Sequence, residues 1–235
     1  MGRYYVPVGE ELREYYSVSG GPVKVQGVAN IVSAIRLQSY ANNTLYSFVE
    51  TMGVPQGLLS YKYVFPTYNN TWAPLNSQIR VSNLETTPTT VRITIGNSVV
   101  WEQQMQGLEE QRLYFPVSGG PVIVESLDTS KKIVAAIRLQ SYANNLLYSF
   151  SETMGIPDQM LSYRYYFPTY NNTWAPLNSQ IRVSNLETTP TTVRITIGSS
   201  VVWEREMQGR EEQRLYFPVS GGPVIVESLD TSKKI

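Results

Sequence analysis

The stretch Thr90-Val91-Arg92-Ile93-Thr94-Ile95 alternates polar side chains with β-branched apolar ones. A second stretch, Ser77-Gln78-Ile79-Arg80-Val81-Ser82, has the same period of two. Successive side chains of a β-strand point to opposite faces of a sheet. Each stretch therefore predicts a strand with one buried and one solvated face.

Further strand candidates surround these two, each bounded by Gly, Pro, Asn, Asp or Thr clusters. They are residues 61–68, 99–105, 112–116, 121–125, 133–142 and 146–151. At most a short turn of helix is expected, within residues 50–59. Short strands at this spacing predict an all-β chain of tandem immunoglobulin-like antiparallel β-sandwiches.

The chain repeats itself at an offset of 102 residues. Residues 31–133 and 133–235 align without a gap, and only 13 of the 103 paired positions differ. A partial third copy opens the chain, where Glu10-Glu11 and residues 18–23 match Glu109-Glu110 and residues 117–122. A period near 100 residues suits a small complete domain. The expected core of each repeat is Ile79, Val81, Val91, Ile93, Ile95, Val122 and Val124, with their counterparts 102 residues later.

The turns Gly53-Val54-Pro55 and Gly155-Ile156-Pro157 are natural boundaries between units. They divide the chain into a partial repeat (1–60), a complete β-sandwich (61–161) and a second partial repeat (162–235). An equivalent cut gives two full repeats, 31–132 and 133–235, and leaves residues 1–30 as a surplus segment.

Composition excludes several functional classes. The 235 residues carry 19 basic and 19 acidic side chains, so nothing favours nucleic acid as a partner. No apolar run approaches the roughly 18 residues of a membrane span, and Met1–Tyr5 is not followed by the apolar core of a signal peptide, so we expect a soluble chain. With Cys 0 and His 0 the chain lacks the commonest nucleophile, general base and metal ligands. We expect no enzyme activity, no metal and no cofactor.

The paired carboxylates Glu109-Glu110 and Glu211-Glu212 are the nearest approach to a catalytic motif. A solvated turn is the better interpretation, because neighbours along a strand point to opposite faces. The loops at Asp128 and Asp230 offer one carboxylate each, too few to indicate calcium.

One repeated motif has the composition of a sugar-binding patch, in which a ring stacks on a pyranose and amides bond its hydroxyls. The candidate glycan-binding residues are Tyr68, Asn70, Trp72, Tyr170, Asn172 and Trp174. The alternative, which we favour, is a turn whose Trp closes one end of the sandwich core.

Arg36 and Arg138 lie within apolar strand stretches. If they point inward they need partners, and Glu50 and Glu152 are the candidates for ion pairs; a solvent-facing position is at least as consistent with the pattern. Trp101 and Trp203 are expected to cover the edge of the core.

Five motifs follow one another along the repeat: Phe65-Pro66-x-Tyr68-x-x-x-Trp72, Ile79-x-Val81-x-Asn83, Thr90-Val91-x-Ile93-x-Ile95-Gly96, Ser118-Gly119-Gly120-Pro121-Val122-x-Val124 and residues 133–138. Through them nearly the whole repeat resembles a β-sandwich repeat found in secreted and cell-surface proteins of filamentous bacteria, notably the Chloroflexi group. The resemblance implies a structural or adhesive component outside the cell, with no catalytic residues.

These observations favour a structural function: rigid β-sandwiches in series, forming a stalk or filament at the cell surface. The expected partner is a second copy of the chain, bound head to tail when residues 1–30 add a strand to the next C-terminal repeat. A stub packed on its own first domain, or a piece of a longer array, is the alternative. A bivalent carbohydrate-binding or adhesin module, with a cell-surface glycan as partner, is the second functional hypothesis.

Overall fold

The computed structural model describes residues 3–41, 43–71, 75–143, 146–174 and 178–235. The chain is all-β with antiparallel sheets. Two short 3-10 turns, Gln56–Leu58 and Asp158–Met160, accompany the strands. Among the described residues no helix has the length and apolar character needed to cross a bilayer.

The strands fall into three groups along the chain. The N-terminal hairpin consists of β1 (Ala34–Ala41) and β2 (Thr44–Met52). The middle unit consists of β3 (Lys62–Phe65), β4 (Tyr68–Asn69), β5 (Leu75–Asn83), β6 (Thr89–Ile95), β7 (Ser98–Met105), β8 (Glu110–Leu113), β9 (Ser118–Gly119), β10 (Val122–Ser126), β11 (Ile133–Ala143), β12 (Leu146–Met154) and β13 (Ile156–Pro157). The C-terminal unit consists of β14 (Arg164–Phe167), β15 (Tyr170–Asn171), β16 (Ile181–Ser184), β17 (Thr191–Ile197), β18 (Ser200–Met207), β19 (Glu212–Leu215), β20 (Ser220–Gly221) and β21 (Val224–Ser228).

The middle unit has two sheets, ordered β13-β3-β10-β6-β7 and β12-β11-β5-β8, with β4 and β9 paired beside them. Buried and half-buried residues alternate along β6, as the period of two predicts. The inward side chains of both sheets form one apolar core, which is consistent with a β-sandwich.

The C-terminal unit has a sheet β14-β21-β17-β18 and two separate pairs, β16-β19 and β15-β20. It has its own apolar core. The seven predicted core residues and their seven counterparts are all buried in these two cores, so the core prediction is confirmed. Trp101 and Trp203 are half-buried against them, also as predicted.

Two local expectations differ from the structure. The predicted strand over residues 61–68 is split into β3 and β4, because Pro66 has no N–H to donate to a ladder. The helical turn expected within residues 50–59 is reduced to Gln56–Leu58, because β2 continues as far as Met52.

The described part of the N-terminal segment, residues 3–33, holds no strand, and strand structure begins at Ala34. All of residues 3–30 are exposed except Gly21 and Pro22. Within a single chain, the described part of residues 1–30 supplies no strand, and the strands that precede the middle unit are those of the N-terminal hairpin. This hairpin packs on β12 of the middle unit: the Phe150 N–H donates to Ser47 Oγ of β2 at 3.4 Å, and Ser39 Oγ of β1 donates to the Leu147 carbonyl at 3.0 Å.

Candidate functional site

Tyr68 is a fully buried member of the core. Its hydroxyl donates to the Ser77 carbonyl at 2.9 Å and accepts from the Phe115 N–H at 2.9 Å. Burial raises the pKa of this phenol to about 12. Tyr170 is buried in the same way, with its hydroxyl bonded to the Ser179 carbonyl at 2.9 Å. Neither ring has a free face on which a sugar could stack.

The amides of Asn70 and Asn172 complete these networks. Asn70 Nδ2 donates to the Tyr68 hydroxyl at 2.7 Å and to the Phe115 carbonyl at 3.1 Å, and its Oδ1 accepts from the Ser77 N–H. Asn172 makes the corresponding bonds to Tyr170 and to the Phe217 carbonyl. Since both amides are occupied within the fold, four of the six predicted glycan-binding residues have a structural function instead.

Of the two tryptophans of the motif, Trp72 and Trp174, the structure describes only the second. Trp72 lies outside the described residues. Trp174 is 69% exposed, and its N–H on the backbone donates to Asn171 Oδ1 at 3.3 Å. Trp174 therefore does not close the core, and it is the one described residue of the motif that presents an aromatic ring to solvent.

The carboxylates considered as catalytic groups or as calcium ligands bond to groups a few residues away in the chain. Glu109 Oε2 accepts from the Gln106 N–H at 2.5 Å, and Glu110 pairs with Arg112 at 2.8 Å. The hydrogen bond from Arg112 holds the pKa of the Glu110 carboxyl below its ordinary value. Asp128 Oδ1 accepts from the Ser130 N–H at 3.0 Å and closes its own loop.

A charged network covers the outer face of the sheet β12-β11-β5-β8. Arg138 Nη2 lies 2.8 Å from Glu152 Oε2, so these two residues do pair, but on the outer face of the sheet and not turned into the core. Arg80 lies between Glu152 at 3.7 Å and Glu110 at 3.8 Å. The matching pair in the N-terminal hairpin, Arg36 and Glu50 at 2.6 Å, is also present but is more exposed.

The middle and C-terminal units touch through a small polar contact. Ser184 Oγ donates to the Pro66 carbonyl at 2.7 Å, and Arg182 Nη1 donates to Thr67 Oγ1 at 2.8 Å. Gly120 lies against the same place, because a Cβ there would come within 3.1 Å of Ser184 Oγ. We call this set of contacts the inter-unit contact.

The N-terminal segment makes a matching contact on the middle unit. A Cβ on Gly21 would lie 3.3 Å from Ser82 Oγ, the residue equivalent to Ser184. Arg112 Nη2 donates to Ser19 Oγ at 3.3 Å beside it. Sequence reasoning missed both contacts, although the repeated Gly-Gly-Pro triplets were a visible signal of them.

Comparison of the chain with protein-family models, with curated proteins and with solved structures found no match. Within the described residues, no group of three or more acidic side chains is arranged to hold a metal ion. The features that distinguish this molecule are therefore its sheet edges and its inter-unit contact.

Proposed function

We propose that this chain is a structural repeat protein of the cell exterior, built of immunoglobulin-like β-sandwiches on a 102-residue repeat, that assembles head to tail by strand addition. One observation carries the proposal: β1 and β16 each have an open edge, and their counterparts in the middle unit pair with one another.

The middle unit provides the template for the pairing. There β11 pairs with β5 over nine residue pairs, from Ile133 opposite Asn83 to Ser141 opposite Leu75. The sequence of β1 corresponds to that of β11, and the sequence of β16 lies within the copy of β5. In the described part of the chain, β1 pairs only with β2, and β16 pairs only with β19.

The missing neighbour changes the structure of an identical sequence. Residues 75–83 and residues 177–185 have the same nine amino acids. The first copy is a strand along its whole length, whereas in the described part of the second copy, residues 178–185, only Ile181–Ser184 is a strand. An unpaired edge leaves backbone N–H and C=O groups without partners, so β16 is a binding surface for another strand.

The side chains next to these edges are also left uncovered. Ile137 on β11 is 5% exposed, whereas Ile35 on β1 is 46% exposed. Phe65 is 3% exposed because Gly155 lies on its ring, where a Cβ would come within 2.8 Å of Cζ. Its counterpart Phe167 is 47% exposed. Donation of the hairpin and of the turn after it would bury both kinds of apolar surface.

The backbone of β1 is oriented for this pairing. The Gly53 N–H donates to the Ser33 carbonyl at 3.1 Å, and Ala34 stands opposite Met52. In an antiparallel pair this geometry makes Ala34 a non-hydrogen-bonded residue toward β2, so its own N–H and C=O point to the open edge. On the template, Ala136 lies opposite Arg80, so Ala34 would lie opposite Arg182 of the accepting copy.

A proline substitution at position 34 of the full chain tests the proposal. Ala34→Pro removes the N–H that β16 would receive but no hydrogen bond within the hairpin, because proline is tolerated on edge strands. Ala34→Ser keeps the N–H and is the matched control. In sedimentation velocity over a concentration series, we expect wild type and Ala34→Ser to form growing oligomers and Ala34→Pro to stay monomeric. Equal assembly of all three, or a wild type that stays monomeric, contradicts the proposal.

A regular spacing of units is supported by the inter-unit contact. Ser184 and Arg182 bond to the backbone and side chain of the adjoining residues Pro66 and Thr67. No Gly/Ser linker separates the units, so little flexible chain lies between them. The expected location outside the cell rests on the resemblance given above, and surface labelling of intact cells with an antibody against the chain would test it.

A second candidate function, glycan binding, is supported by the exposed ring of Trp174. Trp174→Ala in the full chain, compared with wild type on a glycan array, tests it directly, and Trp101→Ala serves as a control at a half-buried tryptophan. Signal lost only in Trp174→Ala would favour an adhesin. An array without signal for wild type would remove this candidate.

A further inference from the structure

The Gly-Pro pair that takes part in the inter-unit contact occurs three times in the chain. Gly120 and Pro121 are buried on the C-terminal unit. Gly21 and Pro22 are half-buried on the middle unit, and Gly222 and Pro223 are exposed. The first two pairs sit at equivalent places, on Ser184 and on Ser82.

The proposed assembly requires the third pair, Gly222 and Pro223, to contact a neighbouring unit as the other two pairs do. When the hairpin of one copy completes the C-terminal unit of another, the middle unit that follows the hairpin takes the position of the next repeat. Gly222 and Pro223 of the accepting copy would then meet Ser82 of the donating copy, in the way Gly120 meets Ser184. That place is already held by the donating copy's own Gly21.

The N-terminal segment that occupies this place on Ser82 has the sequence pattern of the C-terminal segment that it would keep away. Residues 10–25 match residues 211–226 in the order Glu-Glu-x-Arg-x-Tyr, followed by Val-Ser-Gly-Gly-Pro-Val-x-Val. The copy includes Arg13 and Tyr15, which correspond to Arg214 and Tyr216. Its contact is small, because Gly21 and Pro22 are its only residues that are not exposed within the described range 3–30.

We infer that residues 10–26 are an intramolecular competitor for the head-to-tail contact: they occupy on the middle unit the surface that Gly222 and Pro223 of a second copy take in the assembly. This inference rests on the proposed function. Because the segment is tethered to its own site, its effective concentration is high although its contact is small. It therefore raises the concentration at which assembly begins, and its displacement permits growth.

A disulfide between the segment and its site tests the inference in the full chain. In Gly21→Cys with Ser82→Cys, the Cβ of one cysteine lies close to the sulfur position of the other, since a Cβ on Gly21 lies 3.3 Å from Ser82 Oγ. The wild type has Cys 0, so a thiol-specific oxidant or reductant acts only on the variant. We expect the oxidised variant to stay monomeric at about ten times the concentration at which the reduced variant assembles. Equal thresholds for the two forms would overturn the inference.

The opposite change should release the segment. Gly21→Leu adds a branched side chain whose Cβ alone would lie 3.3 Å from Ser82 Oγ and 3.7 Å from Glu110 Cβ, so the segment must shift, and we expect the assembly threshold to fall by about tenfold. Val18→Leu, at an exposed position of the same segment, is the matched control and should leave the threshold unchanged. Circular dichroism of each variant establishes that the two units remain folded.

The outcomes separate the inference from the proposed function. If wild type assembles with the same threshold as Gly21→Leu and as the oxidised cysteine variant, the competitor is wrong and strand addition stands. If neither wild type nor Gly21→Leu assembles at any concentration, strand addition is wrong and the segment has nothing to exclude. If wild type assembles, Gly21→Leu assembles at a lower concentration and the oxidised variant stays monomeric, both are supported.

Discussion

The Tyr68 hydroxyl and the Ser77 carbonyl are joined by a 2.9 Å hydrogen bond that ties β4 to β5. The same hydroxyl accepts the Phe115 N–H, so its removal leaves a backbone donor without a partner. We expect Tyr68→Phe to lower the free energy of unfolding by about 1–3 kcal/mol, measured by urea denaturation. Tyr148→Phe, at an exposed ring, should change it by less than about 0.5 kcal/mol. A Tyr68→Phe variant as stable as the control would mean that this network is dispensable.

The raised pKa of Tyr68 gives a pH dependence with a definite sign. Burial raises the pKa to about 12 in the folded state, above the ordinary value near 10 of an exposed phenol. Between these values the unfolded chain loses the proton first, so its contribution to stability is complete below pH 10 and is lost as the pH rises toward 12. We expect Tyr68→Phe to lose less stability than wild type between pH 9.5 and 11, by up to about 1.4 kcal/mol per unit. Urea midpoints that fall in parallel would contradict this.

The two apolar cores should respond separately to cavities. Ile93 and Ile195 are fully buried counterparts, one in each core. Truncation of either to Ala should cost about 2–5 kcal/mol. In calorimetry we expect Ile93→Ala to lower one thermal transition and Ile195→Ala the other, whereas Val99→Ala, at an exposed position, should lower neither. A single transition that both variants shift equally would show one cooperative unit in place of two.

The ion pairs Arg138–Glu152 and Arg36–Glu50 occupy equivalent positions of two sequence repeats but differ in how far they are exposed. Glu152 is mostly buried and serves two arginines, whereas Glu50 is half exposed. Glu152→Gln should therefore lower the free energy of unfolding by about 3 kcal/mol, because it leaves a buried guanidinium without its counter-charge. Glu50→Gln should cost less than about 1 kcal/mol in dilute, monomeric protein. Chemical denaturation of both variants tests the ranking, and equal losses would contradict it.

Hydrogen exchange can follow the open edge of β16 directly. The Gly155 N–H donates to the Ala135 carbonyl, and this places the backbone groups of Arg138 toward Gln78 on β5. Gln180 has the same sequence position as Gln78 but lies outside any strand. We expect the amide of Gln180 to exchange about 100-fold faster than that of Gln78 in the monomer, and to become protected in assembled material. Protection that does not change on assembly would exclude strand addition at this edge.

Periodicity predicted the strands and both cores, because the alternation in residues 90–95 depends only on which face of the sheet is buried. It could not locate the chain's open edges, because an edge is defined by an absent neighbour. Residues 76–83 and 178–185 are identical in sequence and differ in structure for that reason. Sequence reasoning placed the surplus strand in residues 1–30, whereas the first strands of the described chain are those of the hairpin that begins at Ala34.

The candidate glycan site shows the other limit of sequence reasoning. Tyr68 and Asn70 have the composition of a binding patch, but the same hydroxyl and amide groups that bond a sugar also bond a backbone. Composition does not distinguish the two uses, because the difference is whether the ring is buried. Trp174 alone among the described members of the motif presents an exposed ring.

The short pairing of β13 with β3 determines how a chain of these units would respond to force. Ile156 stands opposite Val64 and Pro157 opposite Tyr63, and just beyond them Lys62 and Asp158 form an ion pair at 2.7 Å. The polypeptide thus enters and leaves the middle unit at adjacent points. Tension between those points would load these two residue pairs and this ion pair first, before any other pairing of the unit.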